Sequence, residues 1–301
     1  EKIGNYLDNT KILIKGLIKM IDLPTNKIKS KLKELNFNFS TLLANPIANP
    51  KIKKGLKLGV LTYPLHLAPF KKSGFNVCAS ASKMCIKMCL DEAGNPAYFN
   101  AKEKARINRT QAYFKARPLF LELLKREILK AINYGKKKNM IVAFRLNATS
   151  DIRFESVYLP NENISVIDFV IKNGGEVYDY TKHTNRKNIP EKYKLTFSWA
   201  GDNEQKCIEA FNNGFNVAIP FSTKVNQELP DRFKLGNKWV KVFDGDNVNG
   251  DYRIKDPENI IVGLRLKYLT SPNSPNRLSQ LKNAIQSGFC IDAVNDKRIT
   301  A

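Results

Sequence analysis

The chain has 301 residues, 43% hydrophobic and 10% aromatic, with 16 Gly and 14 Pro. That composition excludes collagen-like, disordered and disulfide-scaffold chains and supplies apolar surface for one large domain or two ordinary ones. Lys and Arg number 50 against 28 Asp and Glu, a formal net charge of +22, beyond what solubility requires, so an anionic partner such as nucleic acid is the first expectation. The excess is uneven: residues 1–140 hold 28 basic and 9 acidic side chains, the remainder 22 and 19. A coding bias toward Lys would raise the charge throughout, so the asymmetry assigns the polyanion to the N-terminal half.

Residues 1–57 read as a basic helical N-terminal extension, and residues 58–301 as an α/β domain with a cysteine cluster at its mouth. In the segment 11–21, Lys11, Lys15 and Lys19 recur at i, i+4 opposite Leu13, Leu17 and Met20, the pattern of an amphipathic surface helix. Pro24 and Thr25 open a second helix over 27–35, and Asn45-Pro46 and Asn49-Pro50 break the chain. The acid-free stretch 58–69 is extended and leads to the cysteines. Residues 102–117 and 118–134 follow as helices, the second ending at Gly135. No apolar run approaches the ~20 residues that span a bilayer, so a soluble protein is expected.

From residue 141 the pattern alternates. Apolar runs at 141–146, 176–180, 195–199, 217–221, 239–243 and 260–266 predict strands, with helices at 165–172 and 204–212 among the first four. Asn173-Gly174-Gly175 and Asn213-Gly214 supply the helix stops. Strand, helix, strand at this spacing predicts parallel pairing. Six strands predict a partial or complete βα barrel, with an open doubly wound sheet as the alternative. No dinucleotide or P-loop fingerprint occurs.

Reactive groups of parallel sheets collect at the carboxyl ends of the strands. Those ends offer Arg145, Asn147, Ser150, Asp151, Asp179, Lys182 and Ser198 as candidate catalytic residues. His183, beside Lys182, reads equally as a phosphate contact or a surface residue. Asp244 and Asp246 read as a turn more than as a cation site.

Cys78, Cys85 and Cys89 fall within twelve residues. Thiolates at this density select soft metals, so an iron–sulfur cluster with one open iron is expected, with zinc completed by His66 or water, or three buried hydrophobes, as alternatives. The basic stretch Lys102, Lys104, Arg106, Arg109, Lys115 and Arg117, with Tyr98, Phe99 and Tyr113 nearby, offers phosphate contacts and stacking faces for nucleic acid.

Taken together, the cysteine segment 78–89, Ala105–Thr110, Arg145–Ile152, Tyr178–Lys182, Phe243–Asp246 and Ile261–Leu264 resemble the bacteriophage gene-product-88-like family over about residues 59–291. The resemblance implies a viral source, hence the host cytoplasm during infection or association with the virion, and no settled reaction. Two functions follow as expectations. One is an iron–sulfur enzyme, analogous in layout to radical S-adenosylmethionine barrels, with S-adenosylmethionine on the open iron and an anionic substrate at the mouth. The other is a non-catalytic, basic nucleic-acid-binding protein with a structural metal or none.

Overall fold

A computed structural model describes residues 23–47, 50–89, 99–246, 250–268 and 274–300. The amphipathic segment 11–21 and Tyr98 lie outside the described residues. Helix α1 (Thr25–Glu34) buries Ile28 and Leu32 in the main core. It is followed by α2 (Pro50–Lys53), a 3-10 turn and strand β1 (Val60–Pro64). The short α3 (Lys83–Lys87) carries Cys85, and α4 (Phe99–Lys115) and α5 (Arg117–Lys138) come next. Strand β2 (Ile141–Arg145), helix α6 (Val166–Lys172), strands β3 (Glu176–Thr181) and β4 (Tyr193–Ser198), helix α7 (Glu204–Asn212) and β5 (Asn216–Phe221) form the alternating region. Strands β6 (Arg232–Leu235), β7 (Lys238–Asp244) and β8 (Ile261–Arg265), helix α8 (Arg277–Gln286) and β9 (Ile299–Thr300) complete the chain.

All six predicted strands are present, with three more among the described residues: β1, in the extended stretch before the cysteines, β6 and β9. They make one sheet in the order β1-β2-β3-β4-β5-β8-β7-β6-β9. Every pairing from β1 to β7 is parallel, whereas β6 pairs antiparallel with both β7 and β9. The expected barrel is corrected to an open sheet. Strand β8 inserts between β5 and β7, and the β6–β7 hairpin turns the growing edge back on itself, leaving no parallel edge to meet β1.

Side chains alternate across the strands, so the two faces differ. One carries Val142, Phe144, Val177, Leu195, Phe197, Val217 and Ile219, packed against α5, α6 and α7. The other carries Ala143, Tyr178 and Ala218, and is crossed near β1–β3 by the connection between β7 and β8, whose Tyr252 packs on Val60, Ala143 and Tyr178. Arg253 of that connection is fully buried, paired with Asp256 at 3.1 Å and donating to the carbonyls of Gly245 and Gly250.

Helix α5 continues past the expected stop at Gly135. A Cβ there would lie 2.1 Å from Val142 Cγ2, so this glycine lets the helix approach β2, and left-handed Asn139 (φ 52°) ends the helix. Helix α1 is tied to the domain by its neighbours: Glu127 of α5 accepts the N–H groups of Leu42 and Leu43 at 3.0 and 2.8 Å, and Arg109 of α4 donates to the Thr41 carbonyl at 2.8 Å.

Gly201, in the turn between β4 and α7, has φ +87°, and a Cβ there would lie 2.5 Å from the Gly288 backbone. Gly214 has the same φ, with nothing within 4 Å. Gly214→Ala costs about 1 kcal/mol of left-handed strain. Gly201→Ala adds overpacking of about 2 kcal/mol, so its urea midpoint falls clearly further. Equal losses in the two variants contradict the packing described.

Candidate active site

The turn after β2 is organised by Asn147. Its backbone N–H donates to Asp179 Oδ1 at 2.7 Å and its Nδ2 to Asp179 Oδ2 at 3.3 Å and the Ile152 carbonyl at 2.9 Å. Its Oδ1 accepts from Ser150 Oγ at 2.9 Å and from the Ile152 N–H at 2.7 Å. The Tyr193 hydroxyl donates to Asp179 Oδ2 at 3.0 Å. Asp179 is fully buried, and burial pushes its carboxyl up to about 7 even though Asn147, Arg145, Tyr193 and Arg186 all favour the charged form. Asn147, Ser150 and Asp179 therefore shape the strand ends from within.

Asp151 is the next carboxylate outward. Thr181 Oγ1 donates to its Oδ1 and the Lys182 N–H to its Oδ2, each at 2.8 Å, and Arg186 Nη1 lies 3.5 Å from Oδ1. Arg186, its side chain fully buried, also pairs with Glu155 at 2.8 Å. Above Asp151 stands His183: Nε2 is 3.3 Å from the Asp151 carbonyl oxygen and 3.8 Å from its Oδ2, and Nδ1 is 2.7 Å from Ser80 Oγ. Residues 79–82 of the cysteine segment, Lys182 and residues 202–206 at the start of α7 line a cavity of about 330 Å³.

Arg145 lies on the opposite face of the sheet, paired with Asp251 at 2.7 Å and stacked over Tyr180 at 4.8 Å. Tyr178 donates to the same Asp251 at 3.3 Å. Ser198 contributes its carbonyl, which accepts from Asn203 Nδ2 at 3.0 Å. The seven strand-end candidates thus separate into an interior group, Asn147, Ser150 and Asp179; Lys182, which lines the cavity, with Asp151 bound to its N–H; and two residues, Arg145 and Ser198, held elsewhere.

The cysteine segment folds over these ends. The Asp151 N–H donates to the Val77 carbonyl at 2.8 Å, and the Met84 N–H to Asp202 at 3.3 Å. Ser82 caps α3 by accepting the Cys85 N–H at 3.2 Å. All three cysteines are free thiols. Burial pushes the Cys78 thiol up to about 12, and Cys85, Cys89 and Asp151 add to the shift, so the sulfurs lie within electrostatic reach of one another. Three thiols are the right donors for a soft ion or cluster, yet among the described residues no group of three or more His, Cys, Asp and Glu is arranged to hold a metal. The thiols as placed do not form a metal cage. His66, offered as a fourth zinc ligand, faces Arg106 with Nδ1 at 3.5 Å from Nη2; burial and the cations Arg106, Arg145, Arg109 and Lys102 hold it neutral, well below its ordinary range. Asp244 is held by Arg265 at 2.9 Å, and Asp246 accepts the Arg265 N–H at 2.7 Å.

Helix α4 distributes the proposed phosphate contacts unevenly. Lys104, Lys115 and Arg117 are exposed and Lys102 is half-buried. Arg106 is buried, its guanidinium pushed down to about 10 by that burial. Arg109 is bound to the Thr41 carbonyl. Tyr113 is buried against Phe120 and Phe154, which removes it as a stacking face. Periodicity of charge along a helix gives no direction, and here both arginines of α4 turn inward, while Arg117 opens α5.

Ser80, Arg186 and Asp251 were not legible as site residues. Ser80 sits in a Ser- and Ala-rich loop, and its partner His183 is 103 positions away; the one local signal was a histidine directly after a strand end.

A sequence model described as gene product 88 matches residues 36–293, which contain β1 to β8 and the whole cavity. No curated protein and no solved structure matches the chain.

The raised Asp179 carboxyl sets a pH dependence. Between the ordinary 3.8 of an aspartate and about 7 the unfolded chain has released this proton and the folded chain retains it, so stability falls as pH rises through that window. Asp179→Asn removes that dependence. The urea midpoint of the wild type falls relative to that of the variant between pH 4 and pH 7, and parallel profiles contradict the assignment.

Proposed function

The chain belongs to the bacteriophage gene product 88 family, and from that premise and the strand-end geometry we propose that it is an enzyme that binds an anionic substrate between the cysteine segment and the start of α7. The observation that carries this reading is the convergence of residues 79–82, Lys182 and residues 202–206 around one cavity of about 330 Å³ at the carboxyl ends of β3 and β4, where open parallel sheets bind their ligands. Asp202 is engaged by the Met84 N–H, and Glu204 by Arg298 at 3.2 Å. With Glu204 paired to Arg298, the lining keeps two cations, Lys182 and Lys206, against Asp202, and the first turn of α7 adds the positive end of its dipole. The two ammonium groups bind and orient the anion, and the loop 79–82 covers it.

Thermal melts with inorganic phosphate, a nucleoside monophosphate, a dicarboxylate and a short oligonucleotide test this reading. At least one anion raises the Tm of the wild type, by about 2.7 kcal/mol of stability at 100 times its Kd, and Lys182→Ala/Lys206→Ala abolishes the rise. No rise with any anion, or an unchanged rise in the double variant, contradicts it.

A second reading, an iron–sulfur or zinc site on Cys78, Cys85 and Cys89, is favoured by three free thiols within twelve residues. Anaerobic purification with iron, sulfide and zinc analysis tests it. Bound metal that is lost in Cys85→Ser supports a cluster or ion there, and metal-free wild-type protein after reconstitution eliminates it.

A further inference from the structure

We propose that Ser80, His183 and Asp151 form a nucleophilic relay that hydrolyses a carboxylic ester bearing an anionic group in this cavity. The inference deepens the reading of the cavity as an anion-binding active site, and rests on it for the substrate's charge.

The tautomer follows from the partners. Nε2 of His183 faces only acceptors of Asp151, the carbonyl oxygen at 3.3 Å and Oδ2 at 3.8 Å, so Nε2 carries the ring proton. Nδ1 is then a bare lone pair, and Ser80 Oγ at 2.7 Å is its donor. This is the polarity a general base needs toward a hydroxyl nucleophile. The order of ring nitrogens is the reverse of the usual serine triad, and the group that takes the ring proton and fixes the tautomer is the backbone carbonyl of Asp151, with the carboxylate 3.8 Å away.

The relay is rigidly held. Asp151 receives Thr181 Oγ1 and the Lys182 N–H, each at 2.8 Å, and the His183 N–H donates to the same Thr181 hydroxyl at 3.0 Å. One threonine therefore positions both acid and base. Ser80 itself is half-buried and lines the cavity with Lys182 and Lys206, so a bound ester is within its reach, and the two lysines hold the anionic group.

In the first half-reaction the Ser80 proton passes to His183 Nδ1 as Oγ forms a bond to the ester carbonyl carbon. The tetrahedral adduct collapses, the carbon–oxygen bond to the alcohol breaks, and the departing alkoxide takes the proton from Nδ1. In the second, water gives a proton to Nδ1 while its oxygen attacks the acyl carbon. The bond to Ser80 Oγ then breaks, and Oγ recovers the proton. The sum is ester plus water to acid plus alcohol. Asp151 is a positioning residue throughout.

A neutral alkyl fluorophosphonate, which bonds to an activated serine with loss of fluoride, tests the relay on the full chain. Peptide mass spectrometry is expected to find the label on Ser80, with none at that position in Ser80→Ala of equal Tm. His183→Gln is expected to slow labelling by about 10²-fold or more without a matching loss of Tm. The probe carries no charge and is applied without any anion, whereas the melts with anions are run without the probe, so failure of the anion reading and failure of the relay are separable. No label on Ser80 in folded wild-type protein, or labelling of His183→Gln at the wild-type rate, overturns the proposal.

Discussion

The carboxylate of Asp151 is the joint on which the strand-end region depends. It follows β2, yet its oxygens are filled by the hydroxyl and N–H groups that follow β3, and its own N–H is donated to Val77 in the approach to the cysteine segment. Three parts of the chain, with Val77 lying 74 positions before Asp151 and Thr181 30 after it, are thereby fixed to one residue. A carboxylate drawn out of water needs donors in its place, and here those donors place His183 and Lys182. Asp179 repeats the device one layer deeper with Asn147 and Tyr193, and there burial prevails, so its carboxyl titrates near neutrality.

The two faces of the sheet solve different problems. The face toward α5, α6 and α7 is an ordinary apolar core. The other has small and polar side chains, and the β7–β8 connection covers it with an arginine-rich network, Arg145 to Asp251 and Arg253 to Asp256. Such pairs contribute little net stability once desolvation is counted. Their consequence is geometric: this connection, and not strand pairing, holds the far end of the sheet against β1–β3. That is why a pattern of six barrel-like strands resolves into an open sheet.

Much of the alternating region was legible in the sequence. Strands β2 and β5 are largely apolar runs, and glycine stops precede β3 and β5, so burial on both faces and helix punctuation give the signal directly. Strand β6 was not legible, because its burial alternates and its length is four residues. The barrel was overread because strand count carries no information on order, and the insertion of β8 between β5 and β7 is a tertiary fact. The same limit governs the site. Asp151, Asp179 and Lys182 stood out at strand ends, but their division into buried anchors and cavity residues depends on side-chain direction. Ser80 gains its meaning only from His183. Arg106 and Arg109 looked like phosphate contacts, and instead α4 uses them to seat residues around His66 and Thr41.

Hydrogen–deuterium exchange on wild type and Asp151→Asn measures the joint most directly. The amide variant can still accept at one oxygen but loses the charge and the second acceptor, so residues 147–152, 181–186 and 77–80 are expected to lose protection together while β4 and β5 keep theirs. Faster exchange confined to the residues adjoining position 151, with 181–186 unchanged, would contradict the role given to this carboxylate.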